Sequence, residues 1–178
     1  MVCVVAFNAP AWSSYANIPF FKPALVDIFA LPALYNGVVP AFVALIDDQD
    51  RVYLQRRFQT GYLDGRYEPP VGKVEEDETP SQGACREALE EAGVTIEPED
   101  LELFHAYMNL SNGNPWLGLM FRTRKWKGTP SIQEPHRCDD ARFFSLDELP
   151  EMTPQVADAM RYVLDGPAIK MPDYRNIT

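Results

Sequence analysis

Residues 72–94, GKVEEDETPSQGACREALEEAGV, contain a helix whose two ends can be read directly from the sequence. Thr79 offers a side-chain oxygen to the first free amides, and Pro80 takes the first helical position, where an N–H is not needed. Gly93 supplies the left-handed residue that commonly ends a helix. The sequence therefore predicts a helix from Pro80 to about Ala92.

Three glutamates near the end of this predicted helix are electrostatically unfavourable for an isolated helix. Glu87, Glu90 and Glu91 fall within a sector of roughly 100°, because residues three and four apart share a helix face. Like charges there repel, and anions in the last turn oppose the helix dipole by about 0.3–1 kcal/mol each. A solvated acidic face is one interpretation. A hard divalent cation is the other, since Mg²⁺ commonly binds a few carboxylates together with substrate phosphates.

The segments around this helix predict an α+β domain with a mixed sheet. Residues 38–47 and 52–57 are rich in β-branched and aromatic residues and predict a hairpin across the polar turn DDQD. Further strands are predicted at residues 101–110, 116–126 and 141–146, with a turn at 111–115, and a final helix at 154–164. The connection at residues 58–78 is long for a compact domain, which is typical of a functional loop.

The first 36 residues are apolar and contain four prolines, which interrupt any membrane-spanning helix. They also lack the basic start of a secretory signal. We expect an irregular extension at residues 1–36 that packs on the domain or on a second subunit of a homodimer, followed by one domain at residues 37–178.

The net charge of −10 argues against nonspecific binding to duplex nucleic acid or to an anionic membrane. The three cysteines share no metal-ligand spacing. They fit a reducing compartment, so we expect a cytoplasmic protein.

The stretch 72–94 resembles the signature sequence of the Nudix hydrolases. The fixed positions of that signature are occupied by Gly72, Glu78, Arg86, Glu87, Glu90, Glu91 and Gly93. The resemblance covers about residues 38–165 and implies a MutT-like, Nudix-type α/β/α sandwich with a central mixed β-sheet.

The resemblance also implies a metal site and its supports. In that family the signature glutamates bind divalent ions, so Glu87, Glu90 and Glu91 would be ligands of Mg²⁺, with Mn²⁺ as a substitute. The backbone carbonyl of Val71 would be a further ligand. Val71 departs from the family pattern, which has two consecutive glycines, and a β-branched residue disfavours positive φ.

Further roles follow from the same resemblance. Arg86 would orient the glutamates, and Glu78 would pair with Arg86 to hold the loop on the helix. The segment WKGTPSIQEP is similar to a MutT-like loop that brings another glutamate over the metals, which makes Glu134 the candidate general base or a further ligand. Glu91 is the second candidate for the base. The implied catalytic set is Glu91, Glu134, Glu90 and Arg86.

Arg57 and Lys73 match positions near the phosphates in resembling proteins. A structural role for Arg56 and Arg57 is the alternative to phosphate binding. Because strand residues alternate between faces, one of the two side chains would lie in solvent and the other on the far side of the sheet.

The implied reaction is hydrolysis of a diphosphate linkage in a small nucleotide, with release of a monophosphate and pyrophosphate from a nucleoside triphosphate. Thr153 aligns with an asparagine that reads oxidised guanine in MutT, which argues against 8-oxo-dGTP as the substrate. ADP-ribose and other nucleoside diphosphate derivatives remain open. Two other classes are a nucleotide sensor without catalysis and an isomerase of related fold. The complete glutamate set argues against both.

Overall fold

The computed structural model describes residues 37–109 and 115–169 of the 178-residue chain. The predicted N-terminal extension and most of the predicted turn at 111–115 lie outside the described residues. The elements of the described part are β1 (Pro40–Leu45), β2 (Val52–Arg57), β3 (Tyr67–Glu68), β4 (Val71–Lys73), α1 (Pro80–Ala92), β5 (Glu102–Asn109), β6 (Trp116–Thr123), β7 (Cys138–Phe144) and α2 (Pro154–Ala159).

Two sheets organise these strands. A mixed four-stranded sheet has the order β4-β1-β6-β5, in which β1 and β6 are parallel and the other neighbours are antiparallel. A smaller antiparallel sheet has the order β3-β2-β7. The predicted α+β class with a mixed sheet is confirmed.

The prediction of a hairpin between the first two strands is wrong, because β1 and β2 lie in different sheets. Only an isolated bridge between Ile46 and Val52 joins them. Both edges of β1 are already occupied by β4 and β6, so no edge is left for β2. The carboxylate of Asp47 accepts hydrogen bonds from the backbone amides of Gln49 and Arg51, and this tight turn redirects the chain into the second sheet.

β1 is buried at all six residues because a helix lies on each of its faces. Alternate side chains of a strand point to opposite faces. One set packs with α1, in a cluster that includes Ala41, Val43, Leu45, Ala84, Ala88 and Ala92. The other set packs with α2, in a cluster that includes Phe42, Ala44, Ile46, Val156 and Ala159. This arrangement is the predicted α/β/α layering.

α1 has the predicted bounds. The Thr79 side chain accepts from the Gln82 backbone amide, and the Gln82 side chain accepts from the Thr79 amide, which completes a capping box. At the other end Gly93 has φ of 70°, a left-handed conformation that glycine adopts without strain.

Other boundaries also differ from prediction, including the end of β6, which lies at Thr123 and not at Trp126. The connection at 58–78 contains the short strands β3 and β4, which carry too few residues for a hydrophobic period to be visible. β7 begins at Cys138, three residues before the predicted start. The last helix was predicted at 154–164, but the α-helix ends at Ala159 and continues as a 3₁₀ turn, Met160–Tyr162. The Arg122 guanidinium donates hydrogen bonds to backbone carbonyls after this turn, including those of Val163 and Gly166. Within the described residues, no helix is long and apolar enough to cross a membrane.

Candidate active site

Arg86, on the exposed side of α1, joins the acidic residues of the helix to the preceding loop. Its Nε and Nη2 donate to the two carboxylate oxygens of Glu78 at 3.2 and 2.7 Å. Nη2 also donates to the carbonyl of Lys73 at 2.9 Å. Nη1 donates to Glu87 at 2.6 Å and to Glu90 at 3.2 Å. The hydrogen bond from Arg86 lowers the pKa of Glu78, so this loop carboxylate is held in its charged form.

A glycine is needed at position 72 because a side chain there would overlap the Glu87 carboxylate, and not because the backbone has an unusual conformation. Neither Val71 nor Gly72 has positive φ, and both lie in β4, so the valine is compatible with the loop. A Cβ atom at Gly72 would lie 1.9 Å from the carboxylate carbon of Glu87. The absent side chain therefore lets Glu87 pack directly against the β4 backbone. Burial raises the pKa of Glu87, and Arg86 opposes that shift.

Glu91 points from α1 toward the sheets and has neutral hydrogen-bond donors. Its Oε2 accepts from the Val71 amide at 2.9 Å and from the Gln55 side-chain amide at 3.2 Å. Burial raises the pKa of Glu91 to about 8 despite the Val71 hydrogen bond, and the nearby carboxylates of Glu87, Glu68 and Glu134 add to the shift. Without a cation, this site therefore disfavours the charged carboxylate.

The segment before β7 is attached to the C-terminal end of α1, where helix carbonyls lack partners within the helix. The backbone amide of Gln133 donates to the backbone carbonyl of Glu91 at 3.1 Å. The backbone amide of Ser131 donates to the backbone carbonyl of Ala92 at 3.0 Å. These two bonds place Glu134 beside the end of the helix. An ion pair with Arg137, at 3.6 Å, lies on its other side.

Arg57 ends β2 at the same pocket. Its Nη1 pairs with the buried carboxylate of Glu68, its Nη2 donates to the hydroxyl of Thr60 at 2.9 Å, and its Nε donates to the carbonyl of Tyr62 at 2.6 Å. Arg56 instead pairs through two nitrogens with Asp139. The neighbouring arginines thus bind different acidic residues, although both line the pocket that contains Glu91.

The structure brings together only part of the predicted site. Arg57, Val71, Glu91 and Glu134 line one pocket, whose wall also includes Gln55, Arg56, Thr60, Glu68, Pro69, Arg137 and Cys138. Lys73 is exposed at the end of β4 and does not line this pocket. Glu87 and Glu90 do not line it either, because both carboxylates are bound to Arg86. Among the described residues, no three His, Cys, Asp or Glu side chains are gathered closely enough to form a metal site.

Sequence reasoning missed Gln55, Glu68 and Arg137 as pocket residues. Strand alternation places Gln55 on the same face of β2 as Arg57, and this was a usable signal for Gln55. Glu68 and Arg137 had no such signal. Glu68 ends the two-residue strand β3, Arg137 lies just before β7, and each reaches the pocket only through tertiary contacts.

Comparison with known proteins gives matches to one family. A family model described as the NUDIX domain matches residues 38–165. The NAD-capped RNA hydrolase NudC of Stutzerimonas stutzeri is 30% identical over 134 residues, which are 74% of this chain and 45% of that protein. The 8-oxo-dGTP diphosphatase of Escherichia coli is 29% identical over 85 residues, which are 47% of this chain and 64% of that protein. The chain thus spans less than two thirds of either curated relative.

Solved structures give the same fold. A MutT NUDIX hydrolase from Burkholderia pseudomallei superposes with a TM-score of 0.65 at 28% identity, covering 71% of this chain and 98% of that one. The E. coli ORF135 protein superposes with a TM-score of 0.63 at 19% identity, covering 73% of this chain and 90% of that one. At that lower identity the second match supports the fold alone.

Proposed function

Since the chain belongs to the Nudix hydrolase family as a MutT-like member, we propose that it hydrolyses the diphosphate linkage of a small nucleotide with a divalent cation. The first substrate class to test is a nucleoside triphosphate, cleaved to a monophosphate and pyrophosphate. The observation that carries the proposal is the shared pocket of Glu91 from α1, Glu134 from the segment before β7, and Arg57 from β2.

The residue types at the site fit a hard divalent cation such as Mg²⁺ or Mn²⁺, which binds oxygen ligands. Glu87, Glu90, Glu91 and the Val71 carbonyl would hold it, and the space left by Gly72 already accommodates the Glu87 carboxylate. When bound, the ion supplies charge neutralisation of the phosphates and activation of a water molecule. Arg86 provides the counter-charge for Glu87 and Glu90 in the metal-free protein.

The chain's own charged residues would divide the remaining work. Arg57 and Lys73 bind phosphate oxygens, and Glu68 holds Arg57 in place. The oxygen of water forms a bond to one phosphorus while the bridging P–O bond breaks, and the water proton passes to Glu134 and then to solvent. Glu91 is the alternative acceptor for that proton. Arg86 acts by keeping the glutamates in position.

One observation favours a second substrate class. A relative that matches 74% of this chain is described as an NAD-capped RNA hydrolase, which makes nucleoside diphosphate derivatives such as NADH and ADP-ribose the alternative substrates. Thr153 is fully buried and takes the place of the asparagine expected for an oxidised guanine. This difference supports testing unmodified nucleotides beside 8-oxo-dGTP.

The test is a Mg²⁺-dependent assay in which the products from NTPs, dNTPs, 8-oxo-dGTP, ADP-ribose, NADH and sugar nucleotides are separated by anion-exchange chromatography. A triphosphate should give a nucleoside monophosphate and pyrophosphate, whereas ADP-ribose, NADH or a sugar nucleotide should give two organic monophosphates. We expect cleavage of at least one class, and loss of that activity both in EDTA and in the Glu91→Gln variant. Metal-dependent binding without cleavage of any compound would support a nucleotide sensor and refute the proposed catalysis.

A further inference from the structure

A buried side-chain amide lies under the carboxylate that the proposed function places at the metal. Gln55 is in the middle of β2 and is only 6% exposed. A buried amide needs hydrogen-bond partners, because an unsatisfied one costs about 1–3 kcal/mol. Its Nε2 donates to Oε2 of Glu91 at 3.2 Å.

The two donors to the Glu91 side chain lie on one side of the carboxylate. The Val71 amide donates to Oε2 as well, at 2.9 Å. Among the described residues no hydrogen bond ends on Oε1 of Glu91. The carboxylate is therefore oriented by one oxygen, and the other oxygen remains free for a ligand.

β2 and β4 supply these donors from two different sheets. Gln55 comes from the antiparallel sheet, where it lies opposite Glu68 on β3 and Ala141 on β7. Val71 comes from the mixed sheet, where it lies opposite Phe42 on β1. A carboxylate on α1 that is bound to both sheets has little freedom to change rotamer.

We propose that Gln55 is a positioning residue, which holds Glu91 through Oε2 and thereby keeps Oε1 free to coordinate a divalent cation. The inference rests on the proposed function, because it requires the ion site at Glu91. In this role Gln55 acts on Glu91 as a neutral hydrogen-bond donor. Partners of this kind typically change metal affinity by about 10–100-fold when they are removed.

The test measures Mn²⁺ binding to the full chain without substrate, by electron paramagnetic resonance of the free ion. Gln55→Met keeps the length of the side chain and removes the donor, and we expect its Kd for Mn²⁺ to rise about tenfold or more. Gln55→Asn keeps an amide that is one methylene too short to reach Glu91, and we expect a similar rise. The KM for nucleotide at saturating Mg²⁺ should change less than the Kd for the ion.

Thr123→Val is the matched control. Thr123 is also a buried polar residue of a strand, 4% exposed, but its hydroxyl is hydrogen-bonded to the backbone of Lys125 and it does not line the pocket that contains Glu91. Its removal should lower the melting temperature and leave the Kd for Mn²⁺ unchanged. If Gln55 contributed to stability alone, its variants would also have a lower melting temperature and an unchanged Kd for Mn²⁺.

An unchanged Kd in Gln55→Met overturns the inference. If that variant does not fold, an unchanged Kd in Gln55→Asn overturns it equally. Wild-type protein that binds Mn²⁺ but cleaves no nucleotide would refute the proposed function, while the comparison of Kd values still decides the role of Gln55. Wild-type protein that binds no Mn²⁺ would refute both.

Discussion

The glutamates of α1 differ in the groups that bind their carboxylates. Glu87 and Glu90 share the guanidinium of Arg86. Glu91, on the same face of α1, has only the neutral donors of Val71 and Gln55. The first two glutamates are compensated by a cation of the protein, whereas Glu91 has no direct ion pair among the described residues.

The difference indicates where an external cation would change the protein most. A neutral hydrogen bond offsets part of the desolvation of a buried carboxylate, but a charge offsets much more. Glu91 is accordingly the glutamate whose pKa is raised to about 8. We expect the properties of Glu91, and not those of Glu90, to depend most strongly on the ion.

The largest expected effect is on catalysis. Glu91→Gln removes the buried charge and should lower kcat/KM by about 10³-fold, or ~4 kcal/mol of barrier. Glu90→Gln, at a carboxylate that is 53% exposed, should lower it by only about tenfold. Steady-state kinetics at saturating Mg²⁺ measure both values. A larger loss in Glu90→Gln than in Glu91→Gln would reverse the comparison.

The next effect is on the stability of the metal-free protein. Because folding raises the pKa of Glu91 from its ordinary 4.5 to about 8, its favourable contribution is complete below pH 4.5 and is lost as the pH rises through 8. We expect the free energy of unfolding in EDTA to fall by up to about 5 kcal/mol over that range, since each of the roughly 3.5 pKa units between the two values is worth about 1.4 kcal/mol. Urea unfolding at a series of pH values measures it.

Glu91→Gln is the control for this pH dependence. Both donors bind the same oxygen of Glu91, so the amide oxygen of a glutamine can accept both hydrogen bonds without a charge. The variant should be more stable than wild type at pH 8 in EDTA and have a flatter profile. Burial raises the pKa of Glu87 too, so a weaker slope of the same sign should persist. An unchanged slope would show that Glu91 is not the buried charge.

A smaller loss is expected from Arg86→Lys, at the residue that compensates Glu87 and Glu90. A lysine keeps the charge but cannot bind both oxygens of Glu78 and the Lys73 carbonyl at once. We expect a loss of about 1–2 kcal/mol in the free energy of unfolding, discounted because the side chain is 25% exposed. Arg124→Lys, in an exposed pair with Asp50, should change stability by less than about 0.5 kcal/mol. Equal losses in the two variants would mean that the Arg86 cluster is an ordinary surface pair.

The smallest effect is expected from Lys73→Ala. Lys73 is exposed and lies outside the pocket lined by Arg57, so it contributes a screened charge to phosphate binding. We expect a rise of about threefold in KM for the nucleotide and an unchanged kcat, which corresponds to ~0.7 kcal/mol. The rise should shrink when ionic strength increases. A large fall in kcat would instead place Lys73 at the reacting phosphate.

Local sequence predicted the helix better than the sheets. Thr79, Pro80 and Gly93 fix the ends of α1 through hydrogen bonds and φ values within a few residues, and the structure has these bounds. The pairing of β1 and β2 was predicted wrongly, because a hydrophobic run does not specify which strand edge it meets. β1 is buried on both faces and pairs along both edges, and only the complete set of strands determines its neighbours.

The amino-acid sequence by itself determined the spacing of Glu87, Glu90 and Glu91 on one helix and the family to which the chain belongs. Both properties depend on residues close together in the chain. The tertiary structure decided that Arg86 binds two of these glutamates, that Gln55 and the Val71 amide bind the third, and that Glu134 lies beside it. These contacts join residues separated by other elements, so they exist only after the two sheets and α1 have packed together.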